Sequence, residues 1–236
     1  MERFELIPDQ VSWNKCRFDK LGACCHVYSR NLSMKIMLTL RLCSTLVIAM
    51  LIAAALYEAA DLKDFMLYYS HWSLVVLLMM TIAGSATSLM AIRQTYGNTN
   101  HVPAYATMFH VLYNVAGTAN ILATIVYFII TFTYSSQKKP VNHVVHSVNT
   151  LVIVIEVMAN AVPMKLFNVC QPMLYTITYG AFAFVYHHCT GRVIYKCLEW
   201  EDQREISKLC VSFAILMFVV YMVLYLISFI KNKMLQ

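Results

Sequence analysis

Charge is scarce in this chain. Asp, Glu, Lys and Arg make up 13% of its 236 residues, where a soluble globular domain carries about 25%. Glycine (6) and proline (5) are also few, which removes any disordered, linker-rich or collagen-like reading. Eight cysteines occur without a CxxC pair or a regular spacing, so neither a disulfide framework nor a zinc module is expected. No GxSxG, no phosphate-binding glycine loop and no HExxH is present, which withholds the usual hydrolase, nucleotide and zinc-protease signatures. There is no internal repeat, low-complexity tract or second domain. What fills the chain is apolar: 60% hydrophobic residues and a mean hydropathy of +0.61. Composition of this kind predicts an all-α polytopic membrane protein.

A membrane-spanning helix needs about 20 mostly apolar residues. Six stretches qualify, running roughly Ile36 to Tyr57, Met66 to Ile92, Tyr105 to Tyr134, Val141 to Val162, Pro172 to His188 and Ile206 to Ile230. The expected architecture is a six-transmembrane-helix bundle over residues 36–230, with tails at 1–35 and 231–236. The first run lies behind a polar stretch with Arg17, Lys20, Arg30 and Lys35, which does not read as a cleavable signal peptide. Counting Arg41 with the tail, eleven Lys and Arg fall on the N-terminal side and seven opposite. The positive-inside rule then expects both termini in the cytoplasm, in the plasma membrane or the endoplasmic reticulum. The net charge of +6 has no basic stripe interleaved with aromatics, so it reads as attraction to an anionic leaflet, and no nucleic acid partner is expected. Cys24 and Cys25 stand before the first helix, where acylation is an option beside plain free thiols.

Polar groups inside such helices are costly and mark function. The fourth stretch holds Asn142, His143, His146, Asn149, Glu156 and Asn160. From His146 to Asn149, Ile153, Glu156 and Asn160 the steps are 3, 4, 3 and 4, one helical stripe that should face the bundle interior and leave Val152, Val154 and Ile155 on other faces. Six antiparallel spans start the second, fourth and sixth helices at one membrane face and end the first, third and fifth there. That puts Ser70, His71 and Ser73, then His143 and His146, then His187 and His188 in one layer.

A serine hydroxyl near a neutral imidazole is the minimum for nucleophilic ester cleavage. Ser70 is the candidate nucleophile and His146 the candidate base. Asn142, one turn before, and Asn149, nearly one turn after, are the candidate orienting groups. His187 and His188 are candidates for polarising the ester or holding a carboxylate. Serine in membrane helices also commonly bonds a carbonyl one turn back, with no catalytic role. Metal binding competes for histidine, but only HVVH and HH occur here, so no metal and no cofactor is expected. Glu156 reads as a proton relay or, more plainly, as a carboxylate bonded to a neighbouring helix. Ala83, Gly84, Ser85, Ala86 and Ser88 form a small-residue patch for close helix packing. His110, Asn114 and Asn120 read as interhelical polar contacts.

The segment Asn142-His143-Val144-Val145-His146-Ser147, with Ile155-Glu156 after it, resembles the Asn-His-x-x-His-Thr segment of the androgen-induced membrane protein family. So does Val185-Tyr186-His187-His188-Cys189-Thr190-Gly191, followed by Ile194 to Trp200. The chain is also similar to the rolling stone proteins at Tyr69-Ser70-His71-Trp72, Leu112-Tyr113-Asn114, His146-Ser147-Val148-Asn149 and Leu198-Glu199-Trp200. The likeness covers about residues 65 to 200. It implies a six-helix membrane protein. The androgen-induced side implies hydrolysis of fatty acid esters of hydroxy fatty acids by a threonine and a histidine, whose positions fall on Ser70 and His146. The rolling stone side implies a role in cell fusion, myoblast fusion above all. Membrane lipids are the expected partners. Two departures stand out: Ser70 replaces the family threonine and keeps its hydroxyl, and Lys196 stands where the family pattern has proline.

Overall fold

The computed structural model describes residues 21–27, 29–59, 61–93, 104–134, 140–195, 200 and 202–234. Lys196 therefore lies outside the described residues. The chain is helical: α1 Arg30–Ala59, α2 Tyr69–Arg93, α3 Ala104–Tyr134, α4 Pro140–Ala159, α5 Cys170–Thr190 and α6 Gln203–Met234. A helical turn, Leu62–Phe65, precedes α2, and a 3-10 turn, Leu166–Val169, leads into α5. In hydrocarbon every backbone amide must be paired within the protein, which only a helix or a closed barrel achieves. The sequence offers helical runs, not alternating ones.

Five of these helices, all but α5, are long and apolar enough to cross a membrane, which makes this an integral membrane protein. Their outward faces agree. Leu46, Met50, Phe132, Val211, Ile215, Phe218, Val223 and Ile230 are all exposed, and together they form an apolar surface that only lipid or another apolar partner would cover. At ~1.5 Å per residue, the 20 residues of α4 span ~30 Å, one hydrocarbon thickness. α5 has 21 residues but carries Gln171, Thr176, Thr178, Gly180 and two histidines, which dilute its apolar character. It ends cleanly at Gly191, whose φ of 67° is left-handed and whose N–H donates to the His187 carbonyl at 2.8 Å, a termination glycine allows without strain.

α2 packs most extensively on α3 and α1, while α5 and α6 lean on α3. The α1–α2 contact uses the small-residue patch. A methyl group placed on Gly84 would come within 2.9 Å of Phe109 Cε2 and 3.1 Å of Arg41 Cδ, so the close approach depends on the missing side chain. Gly84→Val is expected to destabilise the protein by about 1–3 kcal/mol through overpacking, whereas Gly180→Ala, with nothing within 4 Å of the added methyl, leaves thermal unfolding in detergent unchanged.

Two buried cations hold the far end of the bundle. Arg41 was counted above among the flanking charges. It is instead fully buried. Its Nε and Nη2 donate to Glu156 Oε1 at 3.0 and 2.8 Å, and Nη1 donates to the Leu21 and Gly84 carbonyls and the Ser88 hydroxyl at 3.0, 3.0 and 2.8 Å. The guanidinium also sits 4.4 Å from the Phe109 ring centre. Lys231 of α6 donates to the Val157 and Asn160 carbonyls at 2.7 and 2.6 Å, placing positive charge on the carbonyl end of α4. The described end of the N-terminal segment joins this knot. The Cys25 N–H donates to the Ala159 carbonyl at 2.8 Å and the Ala161 N–H to the Ala23 carbonyl at 3.2 Å. Residues 21–27 thus belong to the bundle, and α1 starts earlier than the apolar run that announced it.

Candidate functional site

Aromatic and imidazole side chains hold the start of α2. The Tyr69 N–H donates to the Tyr195 hydroxyl oxygen at 3.0 Å, the Trp72 indole N–H donates to the Met66 carbonyl at 2.7 Å, and His71 Nδ1 lies 2.6 Å from the Phe65 carbonyl oxygen. A carbonyl only accepts, so Nδ1 of His71 is the donor here. The His71 ring also stacks on Phe65, with centres 4.2 Å apart and planes 7° apart. Ser70 rides on this fixed turn. Its side chain is partly buried, and its hydroxyl has no hydrogen-bond partner among the described residues. Ser73, one turn on, is spoken for: its hydroxyl donates to the Ser70 carbonyl at 2.8 Å.

On α4 the stripe faces inward: His146, Asn149, Ile153 and Glu156 are all buried, as is Asn160 just past the helix end, which comes at Ala159 and not at Val162. Val152, placed on another face above, is buried as well, while Val154 and Ile155 are exposed. The His146 ring stacks on Tyr127 of α3 at 4.1 Å and 14°, and its carbonyl accepts from Thr124 at 3.0 Å. Its Nδ1 is buried and finds no hydrogen-bond partner among the described residues.

Ser70, His71, Asn142 and His146 line one cavity of about 1000 Å³ at the end of the bundle where α2 and α4 begin. Tyr68, Tyr127, Tyr195, Trp200 and Phe213 contribute aromatic wall, and Met173, Ile177, Ala183 and Met217 apolar depth. Met173 and Ala183 are ten residues apart on α5, so the cavity follows that helix for ~15 Å. Its volume is at the upper end of small-molecule sites.

No protein-family model, no curated protein and no solved structure matches this chain.

Chemically, the cavity offers an unengaged hydroxyl and two imidazoles within apolar walls. No hydrogen bond joins Ser70 to His146 among the described residues; such contacts often close only once substrate is bound. The remaining predicted site residues fall elsewhere. Asn149 is no orienting group for His146. Its amide donates to Asn120 Oδ1 at 3.1 Å, and its Oδ1 accepts from Thr124 and Thr150, each at 3.3 Å. Both ends are used in joining α3 to α4. Glu156 belongs to the Arg41 ion pair and does not line the cavity. His143 sits edge-on to Tyr127 at 5.4 Å and is outside the lining. His187 and His188 end α5 and are not among the residues that line the cavity. His187 stacks on Trp200 at 6.1 Å and His188 on Phe184 at 6.3 Å. They provide no polarising group for an ester held between Ser70 and His146. Asn142 alone remains at the cavity as a candidate orienting amide.

Cys24 is buried, with its N–H donating to the Ser33 hydroxyl at 2.8 Å. Burial pushes the Cys25 thiol up, against the opposing pull of the Lys231 ammonium, so it is a poor nucleophile. Tyr127 was not singled out from the sequence, and Tyr195 and Trp200 entered only through the resemblance; only the fold brings the three to one cavity.

Proposed function

We propose that the chain is an intramembrane hydrolase of fatty acid esters in which Ser70 is the nucleophile and His146 the base. The observation that carries this reading is that an unengaged serine hydroxyl and a buried imidazole, 76 residues apart in sequence, line the same apolar cavity. The imidazole would take the hydroxyl proton as the oxygen attacks the ester carbonyl, then return it to the leaving alcohol; water would release the acyl group by the same route in reverse. A neutral imidazole suits the base role, and apolar walls keep the acyl chain in place and strengthen the electrostatic terms at the reacting carbon. The length of the cavity along α5 suits a long acyl chain entering from the bilayer.

Within this reading α5 is a sixth membrane helix, giving six spans with both termini on the cytoplasmic side. Support comes from its length and from the apolar residues it exposes, among them Leu174, Phe184 and Val185. Membership of the androgen-induced and rolling stone group belongs to the same proposal. A second reading, a non-enzymatic membrane protein of the rolling stone type acting in cell fusion or adhesion, is favoured by one observation. Below His146 the polar stripe is consumed by packing, with Asn149, Glu156 and Asn160 all bonded to other elements.

The two readings separate in proteoliposomes supplied with long-chain fatty acid esters, one of a hydroxy fatty acid with its free carboxylate and one of an alcohol bearing a quaternary ammonium group. The hydrolase reading expects release of free fatty acid that vanishes in His146→Ala at equal membrane incorporation. Release that is absent in the parent protein, or unchanged in that variant, leaves the packing role alone.

A further inference from the structure

The cavity carries a charge that the hydrolase reading does not use. Asp64 lines it, and no lysine or arginine does among the described residues. Asp64 is exposed, with no side-chain partner among the described residues. One turn later stands Tyr68, whose ring meets Tyr195 edge to face at 5.8 Å and His71 at 5.5 Å. All four side chains line the cavity. A carboxylate and aromatic rings lining one cavity are the groups that attract an organic cation, through charge and through ring quadrupoles. A carboxylate headgroup placed here meets like charge and finds no counter-ion among the described lining residues. Elsewhere in the lining, Met173, Ile177, Ala183 and Met217 supply apolar surface, and the buried His146 lines the same cavity.

We propose that the cavity takes a single-chain amphiphile with a quaternary ammonium headgroup, the cation held by Asp64 and the rings of Tyr68 and Tyr195 and the chain running along α5. The inference rests on the hydrolase reading only in treating this occupant as substrate; the binding stands by itself. It narrows the ester class to one whose head is positive or zwitterionic, and it disfavours a free fatty acid head.

The test uses the purified full-length protein in maltoside micelles, titrated with dodecyltrimethylammonium or with dodecanoate, and reads the tryptophan fluorescence to which Trp200 at the cavity contributes. The ammonium compound should bind saturably and about 10-fold or more tighter than the carboxylate, a margin set by one charge reversal plus ring contacts. Asp64→Asn and Tyr68→Ala should each cut that preference several-fold, and Trp200→Phe should remove most of the signal. Asp64 is exposed, so its variant is expected to fold normally. Equal or tighter dodecanoate binding overturns the proposal, as does linear, non-saturating uptake of both. If the ammonium preference holds in a protein that releases no fatty acid from any ester, this inference stands and the hydrolase reading falls.

Discussion

On the proposed hydrolase reading, replacing Ser70 by alanine is expected to lower ester turnover by roughly 10³-fold or more, the scale on which removal of a nucleophile or its base acts in serine hydrolases. His146→Ala falls to the same level, and the double variant is no worse than either single one, because the two groups act as a unit. The same reasoning sets a contrast inside the layer. Ser73, whose hydroxyl is bonded to the Ser70 carbonyl, and Asn149, bonded to Asn120, Thr124 and Thr150, affect stability before rate. Ser73→Ala should keep most of the turnover per folded molecule. Released fatty acid, normalised to protein recovered in the membrane, is the measurement. A Ser70→Ala variant that retains even a tenth of parental turnover is incompatible with a nucleophilic role.

Arg41→Ala is expected to cost about 3–5 kcal/mol of stability, the penalty for leaving one member of a buried ion pair without the other. Glu156 is 1% exposed and has Arg41 as its ion-pair partner. Removing the guanidinium strands that carboxylate and also deprives the Leu21 and Gly84 carbonyls of their donor. Glu156→Leu alone should cost a similar amount, because Arg41 would then stand uncompensated. Arg41→Met combined with Glu156→Leu should recover much of the loss, since two apolar side chains of similar volume need no counter-charge. Thermal unfolding followed by size exclusion in detergent reads all three variants. If both single variants melt within a degree or two of the parent, the ion pair is not what ties α1 to α4.

The helices were readable because the bilayer leaves the backbone so few options, and long apolar runs interrupted by short polar ones mark them directly. The inward face of α4 was readable for the same reason, since a 3-4 spacing of polar groups in an apolar helix has only one face to occupy. Partner choice was not readable. Nothing local says that Asn149 meets Asn120, or that Glu156 is answered by an arginine 115 residues earlier, because the rotation of one helix against another is set by packing. Arg41 shows the same limit. It stands close enough to Arg30 and Lys35 to look like a flanking charge, and only the approach of Gly84 and Phe109 makes its site internal. The direction of His187 and His188 was not readable either: neither lines the cavity, and their rings pack on Trp200, itself a lining residue, and on Phe184.

The central claim is that Ser70 is a nucleophile activated from across the bundle by His146. Treating the protein in native membranes with an alkyl fluorophosphonate and locating the adduct by peptide mass spectrometry tests it most directly. The account predicts a phosphonyl adduct on Ser70, formed in the parent protein and in Ser73→Ala, and absent in His146→Ala that still reaches the membrane. An adduct on another residue, or labelling of Ser70 that persists unchanged without the imidazole, would contradict it.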